Sequence, residues 1–141
     1  MNEPPSAHEL KVEQTAQTTK QILDVDLSLF AAVTGDFNPA HFDPVYAAET
    51  HFKGRIAHGM IAAGLISGVI GMKLPGPGTV YLQQTLNFMA PMRIRDVITA
   101  SVEIIELLER HRVRLRTKCV NQDSLTVLDG DALVSVSRNT V

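Results

Sequence analysis

The chain has 141 residues, a net charge of −2, 45% hydrophobic and 20% charged side chains. That is the length of one ordinary domain with enough apolar residues for a real core. The near-neutral balance gives no footprint for nucleic acid, and the longest apolar stretch, Gly59 to Met72, is too short and too Gly-rich to span a membrane.

Residues 1–9, with Pro4, Pro5, His8 and Glu9, lack an apolar h-region and read as a flexible N-terminal arm rather than a signal peptide. Residues 10–141 are expected to form a single domain without internal repeats. Part of Val12 to Leu23 reads as an edge strand. Asp24 can cap a short helix over 26–34 whose inner face is Leu27, Phe30, Ala31 and Val33, and Gly35 fits the left-handed position that ends it. Asn38-Pro39 forces a turn, and Asp43-Pro44 starts a second short helix through about Glu49. From Ala57 to about Lys73 the chain predicts a helix that is apolar nearly all round, hence buried on most sides. Gly64, Gly68 and Gly71 share one of its faces, which predicts close approach of another backbone, from the sheet or from a partner subunit. Pro75-Gly76-Pro77-Gly78 ends it.

Beyond that loop the apolar period becomes two. Val80, Leu82, Leu86 and Phe88 alternate with polar neighbours, as do Ile98, Ala100, Val102 and Ile104, then Val113, Leu115, Thr117 and Cys119. Leu125 to Ser137 makes a last strand with a bulge expected at Gly130. One strand, helices, then four strands in a row is an α+β pattern with an antiparallel sheet, wrapped around the long helix. Cys119, the single cysteine, excludes an internal disulfide; it faces the core in this pattern, and a reduced, cytoplasmic setting fits.

Asp36 and His41 stand five residues apart across the Asn38-Pro39 turn. A carboxylate and an imidazole are the side chains best suited to share a reactive water near neutral pH. By spacing alone, a turn-making Asp with an incidental His is the simpler reading, and Asn38 is equally a turn former. The pattern is not a metal signature, because a second ligand pair does not follow. His58 reads as a structural histidine; Gly59 after it could offer a backbone N–H to an oxyanion at a helix N-terminus. The stripe Arg112, Arg114, Arg116 and Lys118 is most simply a solvated strand face, and otherwise would attract coenzyme A phosphates or an acidic carrier protein.

Taken together, Thr34 through Pro44, then Ala47, Phe52, Ile56-Ala57-His58-Gly59-Met60, Leu74 to Gly78 and Asn87 to Pro91 resemble the MaoC-like hydratase family. Within it the pattern is most similar to the (R)-specific enoyl-CoA hydratases, over roughly residues 10–138. The resemblance implies a hot-dog fold, a curved antiparallel sheet around the 57–73 helix. It also implies a homodimer joined edge to edge and an acyl-CoA thioester substrate. By the same likeness Asp36 and His41 are catalytic, Asn38 supports them, and the Gly59 N–H binds the thioester oxygen. Ser67 and Ile70 shape the acyl pocket, Gly64 leaves room beside them, and His58 joins the substrate-binding residues. Water would add across the double bond of a trans-2-enoyl thioester with Asp36 as base and His41 as orienting partner and proton donor; the reverse assignment stays open. Such chemistry needs no cofactor and no metal. It serves fatty-acid or polyhydroxyalkanoate metabolism. A carrier-protein-linked dehydratase, a hot-dog thioesterase and a non-catalytic acyl-binding subunit are the competing readings.

Overall fold

The computed structural model describes residues 10–136; the expected arm at 1–9 and the end of the last strand at Ser137 lie outside them. The elements in chain order are β1 (Thr15–Gln21), α1 (Asp24–Thr34), α2 (Pro39–Phe42), α3 (Pro44–Ala48), α4 (Gly59–Met72), β2 (Val80–Gln84), β3 (Asn87–Phe88), β4 (Val97–Leu108), β5 (Arg112–Val120) and β6 (Thr126–Ser135). All strands belong to one antiparallel sheet ordered β1-β4-β5-β6-β2, with β3 also on β6. This is the expected α+β architecture, a hot-dog fold: α4 packs on β4, β5, β6 and β1.

The core follows from the period-two pattern. Ile98, Ala100, Val102 and Ile104 of β4, Val113, Leu115, Thr117 and Cys119 of β5, and Leu128, Ala132 and Val134 of β6 are all buried. Ile61, Ala62, Ile66, Val69 and Ile70 of α4 meet them. Two strands with strict alternation and one helix with a broad apolar arc therefore account for most of the core cluster.

Several local expectations need correction. The α1 N-cap is Leu23, not Asp24; Asp26 accepts the Leu23 N–H at 2.8 Å, while Asp24 enters the helix and pairs with Arg55 at 2.7 Å. Both carboxylates sit in the first turn, where the helix dipole favours them. Val33 is 86% exposed and not on the inner face. At 3.6 residues per turn it lies about 120° round the helix from Leu27, which with Ala31 fixes the buried side.

α4 is not covered on most sides. Gly64, Ser67 and Gly68 are exposed, and a Cβ added at Gly64, Gly68 or Gly71 would meet nothing within 4 Å. Among the described residues, the close backbone approach expected there does not occur. Along β2 and β3 the inward alternation also fails: Val80, Leu82 and Phe88 are exposed, and only Leu86 packs against the core. This strand lies at the sheet margin, and a register shift between Tyr81 and Gln83 interrupts it.

Gly130 is not a bulge; it pairs in register with Thr117. The bulge falls instead three residues earlier on the same strand, where Val127 is left unpaired between Leu128, opposite Cys119, and Thr126, opposite Val120. Gly130 is there for space, since a Cβ would stand 1.9 Å from the Thr85 carbonyl oxygen. Thr85 bridges β2 and β3, and its hydroxyl, not its carbonyl, receives the Asp131 N–H at 2.9 Å. The carbonyl is thereby turned toward the glycine.

The basic stripe is a solvated face. Arg116 stands opposite Glu103 on β4 and Asp131 on β6, Arg114 opposite Glu106, and Lys118 opposite Asp129. Opposite charges in cross-strand register offset three of the four cations, while Arg112 faces Leu108 and Ser135.

Candidate active site

The site is assembled by four short segments tied through backbone groups. Gly35 ends α1 at φ 76°, a left-handed position that glycine adopts without steric cost. Thr34 Oγ accepts the Asp36 N–H at 3.2 Å, so the chain turns sharply into Asp36. The Asp36 carboxylate accepts the Asn38 N–H at 3.2 Å, and the Asn38 side-chain oxygen accepts the Ala40 N–H at 3.0 Å. Asn38 thus caps α2, with Pro39 at its first position. Two successive side-chain turns fix His41 relative to Asp36.

His41 is then tied to the next segment. Its Nδ1 donates to the Ile56 carbonyl at 2.7 Å, and the Ile56 N–H returns to the Ala40 carbonyl at 3.2 Å. A carbonyl only accepts, so the proton belongs on Nδ1 and Nε2 is the acceptor nitrogen of the neutral ring. Arg55 Nε donates to the His41 carbonyl at 2.6 Å while its other end holds Asp24. Arg93 supports the same stretch from behind, donating to the carbonyls of Phe52, Gly54 and Arg55. The sequence reading missed both arginines. Their signal lies in backbone acceptors, which no side-chain pattern displays.

His58, the N-cap of α4, is 2% exposed. Its ring stacks on His41 with centroids 3.9 Å apart, and its Nε2 meets the Asp36 backbone carbonyl at 3.0 Å. A carboxylate oxygen of Asp36 and one ring nitrogen each of His41 and His58 lie within 4.8 Å of one another. One water spans such a gap with two hydrogen bonds of about 2.8 Å. The same three groups could hold a metal ion, a set that chain spacing did not display because it showed one histidine near Asp36.

Gly59 opens α4, where first-turn N–H groups have no intrahelical acceptor. A Cβ at Gly59 would lie 2.8 Å from the Phe88 ring, so only glycine leaves both in place. A cavity of about 390 Å³ is lined by Phe30, Thr34, Asp36, His41, His58 and Gly59. A second, also about 390 Å³, lies between His41, Phe52, Ile56, Gly59, Phe88 and Met92. His41 and Gly59 form the wall common to the two. Met60 leads from the first cavity into an apolar groove of about 470 Å³ bounded by Ala63, Gly64 and Ser67 on α4 and by Leu82 and Leu86 opposite.

Asp36, His41, His58 and Gly59 are therefore together, with Asn38 holding the turn beneath them. Ser67 and Gly64 line the adjoining groove. Ile70 does not: it is 1% exposed and packs into the sheet core. Burial pushes the Tyr81 phenol, on the groove wall, up to about 12, and does the same to the Cys119 thiol in the core. Neither is poised to react near neutral pH.

An antiparallel sheet carried on one central helix, with an Asp–His pair beside that helix's N-terminus, defines a hot-dog domain of the hydratase and dehydratase kind. The sequence matches the MaoC like domain over residues 4–127, and the chain belongs to that family. It is 50% identical over 131 residues to a 3-hydroxybutyryl-CoA dehydratase of Methylorubrum extorquens, covering 92% of this chain and 83% of that one. It is 46% identical over 129 residues to an (R)-specific enoyl-CoA hydratase of Rhodospirillum rubrum, covering 91% and 89%. Among solved structures, the (R)-hydratase of A. caviae involved in PHA biosynthesis superimposes with a TM-score of 0.88 at 40% identity, covering 91% of this chain and 98% of that one.

Proposed function

We propose that the protein is a hydro-lyase that adds water reversibly across C2=C3 of a trans-2-enoyl-CoA to give the (R)-3-hydroxyacyl-CoA. The observation that carries this is the Asp36–His41–His58 cluster, within 4.8 Å, beside the first turn of α4. Conjugation with the thioester makes C3 electrophilic, and attack there moves charge to the carbonyl oxygen. The Gly59 N–H receives that charge, a donor worth about 3–4 kcal/mol when aimed at a developing oxyanion. The water is held by Asp36 and His41. As its oxygen bonds to C3, the pair takes one water proton and returns one to C2, ending in its starting state. With Nδ1–H committed to Ile56, His41 presents an acceptor nitrogen, so imidazole and carboxylate act as one relay. Transfer on one face makes the addition syn. The acyl tail runs into the groove past Met60, Gly64 and Ser67. The reaction belongs to fatty-acid or polyhydroxyalkanoate metabolism.

The working unit is a homodimer joined along β2. Val80, Tyr81 and Leu82 are exposed on this marginal strand, and the small-residue face of α4 beside it is uncovered. An apolar edge next to an uncovered helix face is the kind of surface that a second copy buries. Sedimentation should show two chains, and Val80→Lys should shift the species toward one.

The deciding experiment is crotonyl-CoA hydration by the purified protein, followed at the enoyl absorbance with a thiol reagent in parallel. Loss of the double bond without thiol release, and an (R) product, is the expected result. Thiol release would instead make the protein a thioesterase. Activity confined to carrier-protein thioesters would make it a dehydratase of fatty-acid synthesis.

A further inference from the structure

We propose that His58 is a positioning residue for the Asp36–His41 pair, acting through its ring on one and through its Nε2 hydrogen bond on the other. This rests on the hydratase reading given above.

His58 touches every part of the site. Its ring lies against His41 at 3.9 Å and 30°, near enough to parallel to hold that imidazole in plane. On its other contacts it packs against Phe30 at 4.7 Å and the edge of Phe42 at 5.8 Å, so it cannot drift. Its Nε2 donates to the Asp36 carbonyl at 3.0 Å, which fixes the peptide carrying the carboxylate. Its own backbone is the N-cap of α4, one residue before Gly59. His41 and Asp36 are thus referred to one buried side chain, and Gly59 to the backbone of the same residue.

The bonding pattern ties the ring to the protein frame. Nε2 is committed to a backbone carbonyl, and Nδ1 is buried without a hydrogen-bond partner. What only histidine supplies here is a flat ring to stack on His41 together with a donor for the Asp36 carbonyl. The family resemblance places His58 among the substrate-binding residues; the geometry assigns it to the framework behind the reacting groups. Misplacement of a catalytic group by about 1 Å can cost 10²-fold in rate.

Two substitutions divide the two functions. His58→Gln can keep a donor for Asp36 but has no ring; His58→Phe keeps the ring but has no donor. Both should lower kcat on crotonyl-CoA by about 10²-fold while KM stays within about threefold. In ¹⁵N-labelled protein, the Nδ1–H tautomer signal of His41 should be sharp in the wild type and in His58→Phe, and averaged in His58→Gln. Each variant is scored only if its circular dichroism and melting match the wild type, and either one suffices. Wild-type-like kcat in a folded variant would overturn the proposal. So would a rise in KM at unchanged kcat, which marks a substrate contact, or a His41 tautomer signal unmoved in His58→Gln. The His41 signal is read without substrate, so an inactive wild type would sink the hydratase reading and leave this test standing.

Discussion

The two faces of the cleft are built in opposite ways. On the Asp36–His41 side, the proposed catalytic pair is held by a chain of hydrogen bonds: Thr34 to Asp36, Asp36 to Asn38, Asn38 to Ala40, and His41 to Ile56. On the groove side, a Cβ added at Gly64 would meet nothing within 4 Å and most of the facing strand is exposed. The proposed acid–base pair is thus bonded within one chain, while the groove proposed for the acyl tail is open. Activity and chain-length preference should therefore respond to different substitutions.

The largest effect belongs to the rigid side. Asp36→Asn should lose 10²–10⁴-fold in kcat, the usual share of general acid–base catalysis, with an unchanged melting temperature. Near-normal turnover of the folded variant would remove the relay mechanism. Gly59→Ala should come next, about tenfold to 10²-fold in kcat, because the new Cβ pushes against Phe88 and tilts the oxyanion donor. Combining it with Phe88→Ala should recover part of the loss; no recovery would mean that the amide, not the ring, is disturbed.

On the open side the effects are on stability. Gly130→Ala forces a Cβ against the Thr85 carbonyl, which is backbone and cannot step aside. Overpacking of this kind costs about 1–3 kcal/mol, to be read as a lower urea midpoint, and the damage should spread to the groove because Thr85 joins β2 to β3. The smallest effect is at high pH. The folded Tyr81 and Cys119 groups are raised from 10.0 and 9.0 to about 12. A raised pKa means that the folded state holds its proton longer than the unfolded chain does. Their contribution is then full below about pH 9 and is lost as the pH climbs toward 12. Cys119→Ala should flatten the lower part of that decline in an alkaline unfolding titration.

What was legible in the sequence had side-chain periodicity or a dense motif behind it. The alternation through β4 and β5 located their core residues correctly, down to Thr117 and Cys119. The Asp36-to-His41 turn was legible because Asn, Asp, Gly and Pro advertise their backbone roles. Positions that depend on an unseen neighbour were not. Val80 and Leu82 alternate like a covered strand, yet among the described residues both are left about half exposed. Gly130 looked like a bulge because its reason is a carbonyl 45 positions earlier in the chain, at Thr85. Ile70 was expected in the pocket by family likeness alone, and a likeness does not say which side of the helix faces the sheet in this chain. His58 was undervalued because its partner is a main-chain oxygen, which every residue has.

The interruptions along the sheet margin carry one more consequence. A long, straight, unpaired strand is a template on which further chains can stack without limit. Here the free margin is broken by the register shift at Tyr81–Gln83 and again at Thr85, where the hydroxyl replaces a main-chain acceptor. The opposite margin, β1, is a Thr- and Gln-rich strand carrying Lys20. A second copy can add at one edge for only a few residues, and the other edge discourages growth. Association should therefore stop at a closed pair, and the protein should stay clear of fibrils at concentrations where an unbroken apolar edge would seed them.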